Sequence, residues 1–305
     1  MNPVTCFDSV SVTHPYRLVG PGNNQTDLGL IWRPPSYRET GRTGGGSIGS
    51  SLLRIPGFAI GYFSMHVRNA VSTGSYGIGV RIPNQYWLAG SWVEATTTWG
   101  NDTTDAQDAG GADFALETTT NNDGHAIFCQ VPFNAISYDI GTASVAGAGY
   151  AHDFAYSDEE GDAWVTLTNL FVNDFGTAAI PLTGTTAANE ALLVFDVPSR
   201  WGRTTPTGAA TLATDAPVGY YGFRVRATDA PDTAAVADTL SLYRLYFLTE
   251  AVADNGTLAQ DFGAKDFVMA WDHLNPTGEL YGDALVALFS TADSGNRLTV
   301  QVRGR

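Results

Sequence analysis

Positive charge is scarce in this 305-residue sequence. Lys265 is the only lysine, and 16 Lys and Arg oppose 31 Asp and Glu, for a net charge of −15. Proteins that bind nucleic acid or anionic membranes generally need clusters of Lys and Arg, so the charge balance argues against both partners. Only 15% of the residues are charged whereas 44% are apolar, which indicates a globular chain.

Cysteine is nearly absent as well. Cys6 and Cys129 are so far apart that they do not form a disulfide framework, and Cys129, in the stretch AIFCQV, is expected to be a buried small hydrophobe. The five histidines show neither HxH nor HExxH spacing, so no metal site is expected. His66 and His125 lie within strand patterns and are expected to have structural roles.

Catalytic and cofactor motifs are missing too. Ser75 in GSYG does not match GxSxG, and there is no Walker loop and no GxGxxG after a strand. The acidic stretch SDEEGD, residues 157–162, places its carboxylates in one loop, whereas acid–base catalysis needs two that face each other across a cleft. It also lacks EF-hand spacing, so a solvated turn is favoured over a calcium site. We therefore expect no catalytic residues, no cofactor and no enzymatic activity.

The first ten residues, MNPVTCFDSV, contain neither a basic region nor an apolar core. The sequence thus predicts no signal peptide, and no apolar run is long enough to predict a membrane span.

What the sequence does contain is alternation with a period of two. About a dozen apolar runs alternate in this way, several of them ending at a proline such as Pro83, Pro132 or Pro198, and no long segment has helical periodicity. Short strands joined by turn-rich segments are typical of antiparallel sandwiches or barrels. The sequence therefore predicts an all-β protein.

The clearest strands lie in residues 219–248. Tyr221, Phe223 and Val225 alternate with Gly222, Arg224 and Arg226, so one face of the first strand is expected to be buried. The second strand, Leu240 to Leu248, is apolar on both faces and is expected to be covered on both. The core and another subunit are the expected covers, and the chain's own termini are the alternative to the subunit.

Three segments are distinguished along the chain. Residues 1–50 have little alternation but include Leu28, Leu30, Ile31 and Trp32, so an extended N-terminal arm on a neighbouring subunit is preferred to a disordered tail. Residues 51–250 are expected to form the main β-sandwich, and residues 251–305 a C-terminal β extension. Two tandem sandwiches divided near residue 178 are the alternative.

Aromatic and apolar side chains are the candidate contact residues. Trp92 and Trp99 bracket the stretch WVEATTTW with odd spacing, which places them on opposite faces of one strand, so at least one is expected to point away from the core or into a second layer. Exposed tryptophan commonly anchors interfaces or stacks on sugar rings, while core filling is the alternative. The candidates for subunit or glycan contact are Trp32, Trp87, Trp92, Trp99, Tyr243, Leu245 and Phe247.

Two runs, IGVRIPNQYW and FRVRATDAPDTAAVADTLSLYRLYF, resemble parts of the jelly-roll virion proteins of tailed bacteriophages. Ile82-Pro83 and Trp87 match a strand that ends in proline followed by an aromatic residue. The later F-R-hydrophobic-R strand and D-A-x-D-T turn are matched by Phe223, Arg224, Val225, Arg226, Asp229, Ala230, Asp232 and Thr233. The resemblance spans residues 55 to 250 and implies a jelly-roll sandwich, usually a trimer without a cofactor, that decorates the capsid or forms part of a head fibre or tail.

The leading interpretation is a structural virion protein on the surface of a phage head, made in the host cytoplasm, that binds the major capsid protein or other virion proteins as a homo-oligomer. A lectin-like phage or cell-surface module that recognises host glycans is the alternative, and a glycan-cleaving enzyme on a jelly-roll scaffold is a third. Fold alone does not choose among them, since jelly rolls host many functions.

Overall fold

The computed structural model describes residues 16–19, 49–56, 60–68, 74–108, 110–173, 189–251, 267–270, 284–291 and 297–304. Within these ranges the strands are β1 Tyr16–Val19, β2 Gly49–Pro56, β3 Ile60–Arg68, β4 Gly74–Arg81, β5 Trp87–Val93, β6 Thr98–Asn101, β7 Phe114–Ala115, β8 Gly124–Cys129, β9 Ala135–Thr142, β10 Ala151–Ser157, β11 Trp164–Thr166, β12 Leu170–Asn173, β13 Asn189–Phe195, β14 Tyr221–Asp229, β15 Val236–Ala251, β16 Phe267–Ala270, β17 Ala284–Thr291 and β18 Arg297–Gly304. The α-helices in the same ranges are short, α1 at Thr103–Gln107 and α2 at Pro206–Leu212, and neither is long enough to cross a membrane.

The chain divides into two compact units, residues 1–82 together with 243–305, and residues 83–242. In the first unit one antiparallel sheet has the order β1-β18-β3-β16. The part of β15 that follows Leu242 pairs with β4, and the strand order continues from β4 to β17 and β2. Tyr16 in β1 pairs with Val300 in β18, so residues near the two chain ends share a sheet. The boundaries at residues 50 and 250 stay a prediction, as does the alternative division near residue 178.

The second unit is built from antiparallel strands in two sheets. One has six strands in the order β11-β10-β14-β8-β5-β6, and the other joins β12, β13, β9 and the beginning of β15, with β7 paired to Val236 and Ala237. The predicted all-β class is therefore confirmed, while the jelly-roll path of the chain stays a prediction.

Aromatic rings fill the core between these sheets. Phe195 of β13 stacks on Phe223 of β14 with ring centroids 4.9 Å apart and planes inclined by 4°. Phe133 packs against Trp201 at 5.1 Å. The face of β14 predicted to be buried is buried, since Phe223, Val225 and Ala227 have at most 1% exposure.

The two clearest predicted strands, β14 and β15, do not pair with each other. β14 lies between β10 and β8, whereas β15 pairs with β7 and β4, so the intervening loop crosses from one sheet to another. Both faces of β15 are buried within the single chain from Leu240 to Leu245, where Leu240, Leu242, Tyr243 and Leu245 are at most 3% exposed. A neighbouring subunit is therefore not needed to cover this part of the strand, and association between subunits stays a prediction.

Two apolar stretches, Ser91 to Trp99 and Ala163 to Val172, each read as a single strand from the sequence, and each is divided in the structure. Ser91 to Trp99 contains the end of β5, a 3-10 turn at Glu94–Thr96 and the start of β6. Ala163 to Val172 contains β11 and β12, which belong to different sheets. In both cases β-branched residues continue through the break and hide it, because they favour strands without specifying where a strand ends.

Candidate functional site

A buried arginine organises the face of the six-stranded sheet that points away from the second sheet. Arg224 of β14 is 6% exposed, and its guanidinium carbon lies 5.0 Å from the ring centroid of Trp92 and 5.1 Å from that of Trp164. The planar cation is therefore held between two tryptophan rings, whose faces attract positive charge. Arg224 follows Phe223 in an extended strand, so the two side chains project from opposite faces.

Carboxylates complete this cluster. Glu94 Oε2 accepts a hydrogen bond from Trp92 Nε1 at 3.0 Å and lies 3.5 Å from Arg224 Nη1, while Glu94 Oε1 lies 3.0 Å from Arg226 Nη1. Arg226 Nε also donates to Asp153 Oδ1 at 2.7 Å. Burial, together with the neighbouring Arg226, lowers the pKa of Arg224 to about 10 against the raising effect of Asp153 and Glu94. Arg224 is thus still cationic at neutral pH.

An aromatic layer surrounds the Arg224 cluster. Trp99 packs edge to face on Phe128 with centroids 5.2 Å apart, and Trp92 does so on Trp164 at 5.8 Å. Trp99 Nε1 donates to the carbonyl of Ala126 at 3.2 Å. Because the indole N–H groups of Trp92 and Trp99 have acceptors, the rings can be buried without losing a hydrogen bond.

A closed loop between Thr204 and Tyr220 covers this layer. Thr204 N donates to the Tyr220 carbonyl at 2.8 Å, and Gly219 N donates to the Thr204 carbonyl at 2.7 Å, so the ends of the loop are joined. Helix α2 lies in the loop, begins after the N-cap Thr205, and ends where the Leu212 carbonyl accepts from Trp164 Nε1 at 3.2 Å. The tryptophan face is consequently part of the interior rather than of the surface.

A second buried polar group is centred on Glu117, which is 3% exposed. Its carboxylate accepts hydrogen bonds from Tyr150 Oη at 2.8 Å, His152 Nε2 at 3.1 Å and the Ala235 backbone N–H at 3.0 Å. A buried carboxylate requires such donors, because leaving it unpaired costs several kcal/mol. Burial and the charge of Glu117 raise the pKa of Tyr150, so the phenol stays protonated and donates.

His125 of β8 is held nearby by one bond at each ring nitrogen. The Leu116 carbonyl can only accept, so Nδ1 donates to it at 2.8 Å, and Nε2 accepts from Tyr138 Oη at 3.1 Å. Burial lowers the pKa of His125 to about 4, against the raising effect of the Leu116 carbonyl and with a further lowering by His152. The ring is neutral at neutral pH, and its predicted structural role is confirmed; the side chain of His66 lies outside the described residues.

The central tryptophans are buried, which agrees with the core-filling alternative. Trp87 and Trp92 are each 1% exposed and Trp99 is 4% exposed. Trp92 and Trp99 do not lie on opposite faces of one strand but are direct partners across β5 and β6. The chain reverses between them through Glu94–Thr96 and Thr97, whose φ of 49° is left-handed, so the period-two argument does not apply.

The other predicted contact residues do not form a surface either. Tyr243 and Leu245 are buried within the chain, at 0% and 3% exposure. Trp32 and the side chain of Phe247 lie outside the described residues. Trp87 and Trp92 lie in β5 and Trp99 lies in β6, and all three are buried.

Two smaller predictions concern Cys129 and the acidic turn. Cys129 is fully buried, as predicted, and burial raises the pKa of its thiol to about 12; Cys6 lies outside the described residues. Glu159, Glu160 and Asp162 are exposed in the predicted acidic turn, which is confirmed. Asp158 organises this turn by accepting from the backbone of Asp162 and Ala163 at 2.8 and 3.1 Å. No group of three or more His, Cys, Asp or Glu that could hold a metal ion occurs among the described residues.

Sequence reasoning missed the residues that matter most in these clusters. Trp164, Glu117 and Tyr150 were not singled out, and His152 carried no motif. The alternation places Arg224 on the polar face of its strand. The one signal for its role is that a charged residue on an interior strand needs a partner of opposite charge when it is buried. Its stacking partners come from β5 and β11, which are distant in sequence.

Charge is distributed unequally between the two units. Residues 83–242 include 20 Asp and Glu and four Arg, a net charge of −16, which leaves +1 for residues 1–82 and 243–305. Two of the four arginines, Arg224 and Arg226, are paired with carboxylates in the Arg224 cluster. The surface of the second unit is therefore strongly acidic.

One group of side chains in this unit combines exposure with hydrogen-bonding and aromatic character. Arg203 lies over the Tyr221 ring at 5.1 Å and donates to the Gln130 carbonyl at 3.0 Å. Gln130 Nε2 donates to Tyr220 Oη at 3.1 Å. Arg203 and Gln130 are exposed and the two tyrosines are half-buried.

Comparison with known proteins adds no identity, because no protein family, curated protein or solved structure matches this chain.

Proposed function

We propose that this protein is a structural component of a tailed-phage virion, acting as a decoration protein on the outer surface of the head. The observation that carries the proposal is that the buried ionisable side chains connect strands and loops inside a β-sandwich through hydrogen bonds and ion pairs. Arg224 and Glu94 join β14 to the turn after β5, and Glu117 joins three chain segments through Tyr150, His152 and Ala235. Such connections suit a rigid structural protein that acts by binding to other proteins.

The strongly acidic second unit fits this role. A net charge of −16 over residues 83–242 disfavours contact between the second units of two copies and favours contact with a surface of lower or opposite charge. It also disfavours binding to the packaged nucleic acid. Together with the resemblance of residues 55 to 250 to virion jelly rolls, this supports a place on the outside of the particle.

The test is a density-gradient separation of particles that carry this gene. We expect the protein to sediment with assembled heads at a constant ratio to the major capsid protein, and purified protein to rebind heads from which it has been stripped. Protein that stays at the top of the gradient while intact heads sediment would contradict the proposal. An electron-microscopy map of the particle would then show position and stoichiometry together.

A glycan-binding module is the second candidate, favoured by the exposed group of Arg203, Gln130, Tyr220 and Tyr221. Planar aromatic rings beside amide and guanidinium donors can stack on a sugar ring and bond its hydroxyls. This group replaces the buried tryptophans as the place where a sugar could bind. Saturable binding on a glycan array that is lost in Arg203→Ala and kept in Arg200→Ala would favour this function.

A further inference from the structure

The outer edge of β11 presents backbone groups that no strand uses. β11 is the terminal strand of the six-stranded sheet and pairs only with β10. The Asp158 N–H bonds the Ala163 carbonyl at 2.9 Å and the Leu167 N–H bonds the Phe154 carbonyl at 2.8 Å. Bonded and non-bonded pairs alternate in an antiparallel ladder, so the N–H and C=O groups of Trp164 and Thr166 point away from β10.

This edge is open within the part of the chain that the structure describes. Val165 is 38% exposed and Thr166 is exposed. The opposite edge of the same sheet is closed, because Trp99 N donates to the Thr214 carbonyl at 3.2 Å and Thr214 N donates to the Thr97 carbonyl at 2.8 Å. Among the described residues, one edge of the sheet is therefore hydrogen-bonded to another segment and the other edge is not.

The β11 edge has no charge, proline or bulge that would block pairing. Natural edge strands are commonly protected by these features or by being very short, and of these β11 has only its short length of three residues. Residues 163–169, AWVTLTN, contain no charge and no proline and are rich in residues that favour strands. In a unit with a net charge of −16, such an uncharged stretch at an open edge is suited to accept another strand.

Unbalanced negative charge lies at one end of this edge. The acidic turn precedes β11 directly, and its Glu159, Glu160 and Asp162 side chains are exposed. Among the described residues Glu159 pairs with Arg200, whose Nε is 3.9 Å from Glu159 Oε2, and both side chains are largely exposed. A loose pair of this kind contributes little, so the turn retains excess negative charge.

We propose that the β11 edge binds an extended segment of a partner protein by antiparallel strand addition, and that this segment carries basic side chains at its C-terminal end. Backbone pairing would come from Trp164 and Thr166, as in other cases of strand addition to a sheet edge. A strand antiparallel to β11 runs toward the acidic turn, so its C-terminal end lies beside Glu159, Glu160 and Asp162. A second copy of this chain is a poor occupant, because two units of −16 repel each other.

The proposal deepens the assembly role by naming one contact surface and its partner's chemistry. The two can fail separately. Sedimentation with heads tests the assembly role, whereas peptide binding to the purified protein tests strand addition alone.

The experiment uses two fluorescein-labelled peptides of alternating threonine and valine, with two arginines at the C-terminus in one and at the N-terminus in the other. The key variant is Thr166→Pro, which removes an outward N–H while the inward bonds of β11 remain. Thr166→Val is the matched control because it keeps the N–H. Binding is followed by fluorescence anisotropy against the full-length protein.

We expect wild type and Thr166→Val to bind the C-terminal arginine peptide saturably, and Thr166→Pro to bind it at least about tenfold more weakly. The N-terminal arginine peptide should bind more weakly than the C-terminal one, and the difference should shrink as salt is raised. On saturation the amides of Trp164 and Thr166 should gain protection from hydrogen exchange. This last measurement needs only wild-type protein and stands if Thr166→Pro does not fold.

Three outcomes would overturn the proposal. The first is equal binding by Thr166→Pro and Thr166→Val when both are folded by circular dichroism. The second is absence of protection at Trp164 and Thr166. The third is dimerisation of the wild type that Thr166→Pro abolishes, which would make the occupant a second copy.

Discussion

At the scale of single residues, Arg224 acts as a packing side chain that happens to be charged. Its guanidinium fills the space between Trp92 and Trp164, so removing it leaves a gap between the two rings, while Glu94 keeps its contacts with Arg226 and the Trp92 N–H. We expect Arg224→Ala to lower the free energy of unfolding by about 2–4 kcal/mol. Urea denaturation followed by tryptophan fluorescence measures this, since both rings report on the site.

Arg226→Ala is the matched control for this variant. Arg226 shares Glu94 with Arg224, but its side chain is 21% exposed and stacks on neither ring. Its removal should cost about 1 kcal/mol or less. Equal losses for the two variants would show that charge pairing, rather than packing between the tryptophans, is what Arg224 contributes.

His125 makes stability depend on pH. Its pKa is about 4 in the folded protein and 6.5 in an unfolded chain, so between these values the unfolded state binds more protons. The contribution of His125 is therefore complete above pH 6.5 and is lost as pH falls toward 4. The loss amounts to about 3 kcal/mol, at about 1.4 kcal/mol per pH unit of difference.

Chemical denaturation at a series of pH values between 7.5 and 4 checks the His125 prediction. The His125→Gln variant should be less stable at pH 7.5 but should lose less stability on acidification, because glutamine does not titrate. A pH profile of His125→Gln parallel to that of the wild type would assign the acid sensitivity to other groups.

At the scale of elements, the acidic turn is held against the loop segment that enters α2. Gly161 has a φ of 71°, and a Cβ at this position would lie 2.1 Å from the Arg203 carbonyl oxygen. Gly219 has a similar φ of 87°, but its Cβ would meet nothing within 4 Å. Alanine substitutions at these two glycines therefore distinguish the cost of a left-handed backbone from the cost of a steric collision.

We expect Gly219→Ala to cost about 1 kcal/mol, the usual penalty for a left-handed alanine. Gly161→Ala should cost about 2 kcal/mol more, because strand β10 and the loop must separate to admit the methyl group. Thermal denaturation of both variants provides the comparison. Similar losses would mean that the turn and the loop can move apart freely.

At the scale of the whole molecule, the predicted oligomer must form through a surface other than the one that contains Leu245. Leu245→Asp is expected to unfold the protein rather than dissociate an assembly, because Leu245 is 3% exposed within one chain. Val218→Asp, at a position 50% exposed, is the control and should retain the fold. Circular dichroism distinguishes the two results, and a folded Leu245→Asp protein would contradict the burial of this side chain.

Association itself remains a proposal with a definite salt dependence. Copies that carry a net charge of −15 repel one another, and salt screens this repulsion beyond about 8 Å at physiological ionic strength. We therefore expect the oligomer, a trimer by the family resemblance, to weaken as salt is lowered. Sedimentation as a monomer at micromolar concentration in both low and high salt would end this prediction.

The sequence by itself determined the strand content, the burial of Cys129, the buried face of β14 and the solvated acidic turn. Each of these follows from local alternation or from the solvation of a few neighbouring side chains. Only the tertiary structure decided that Trp92 faces Trp99, that Arg224 is enclosed by rings from β5 and β11, and that Glu117 meets Tyr150 and His152. These contacts join residues far apart in the chain, and a period of two records which face a residue occupies but not which strand lies beside it.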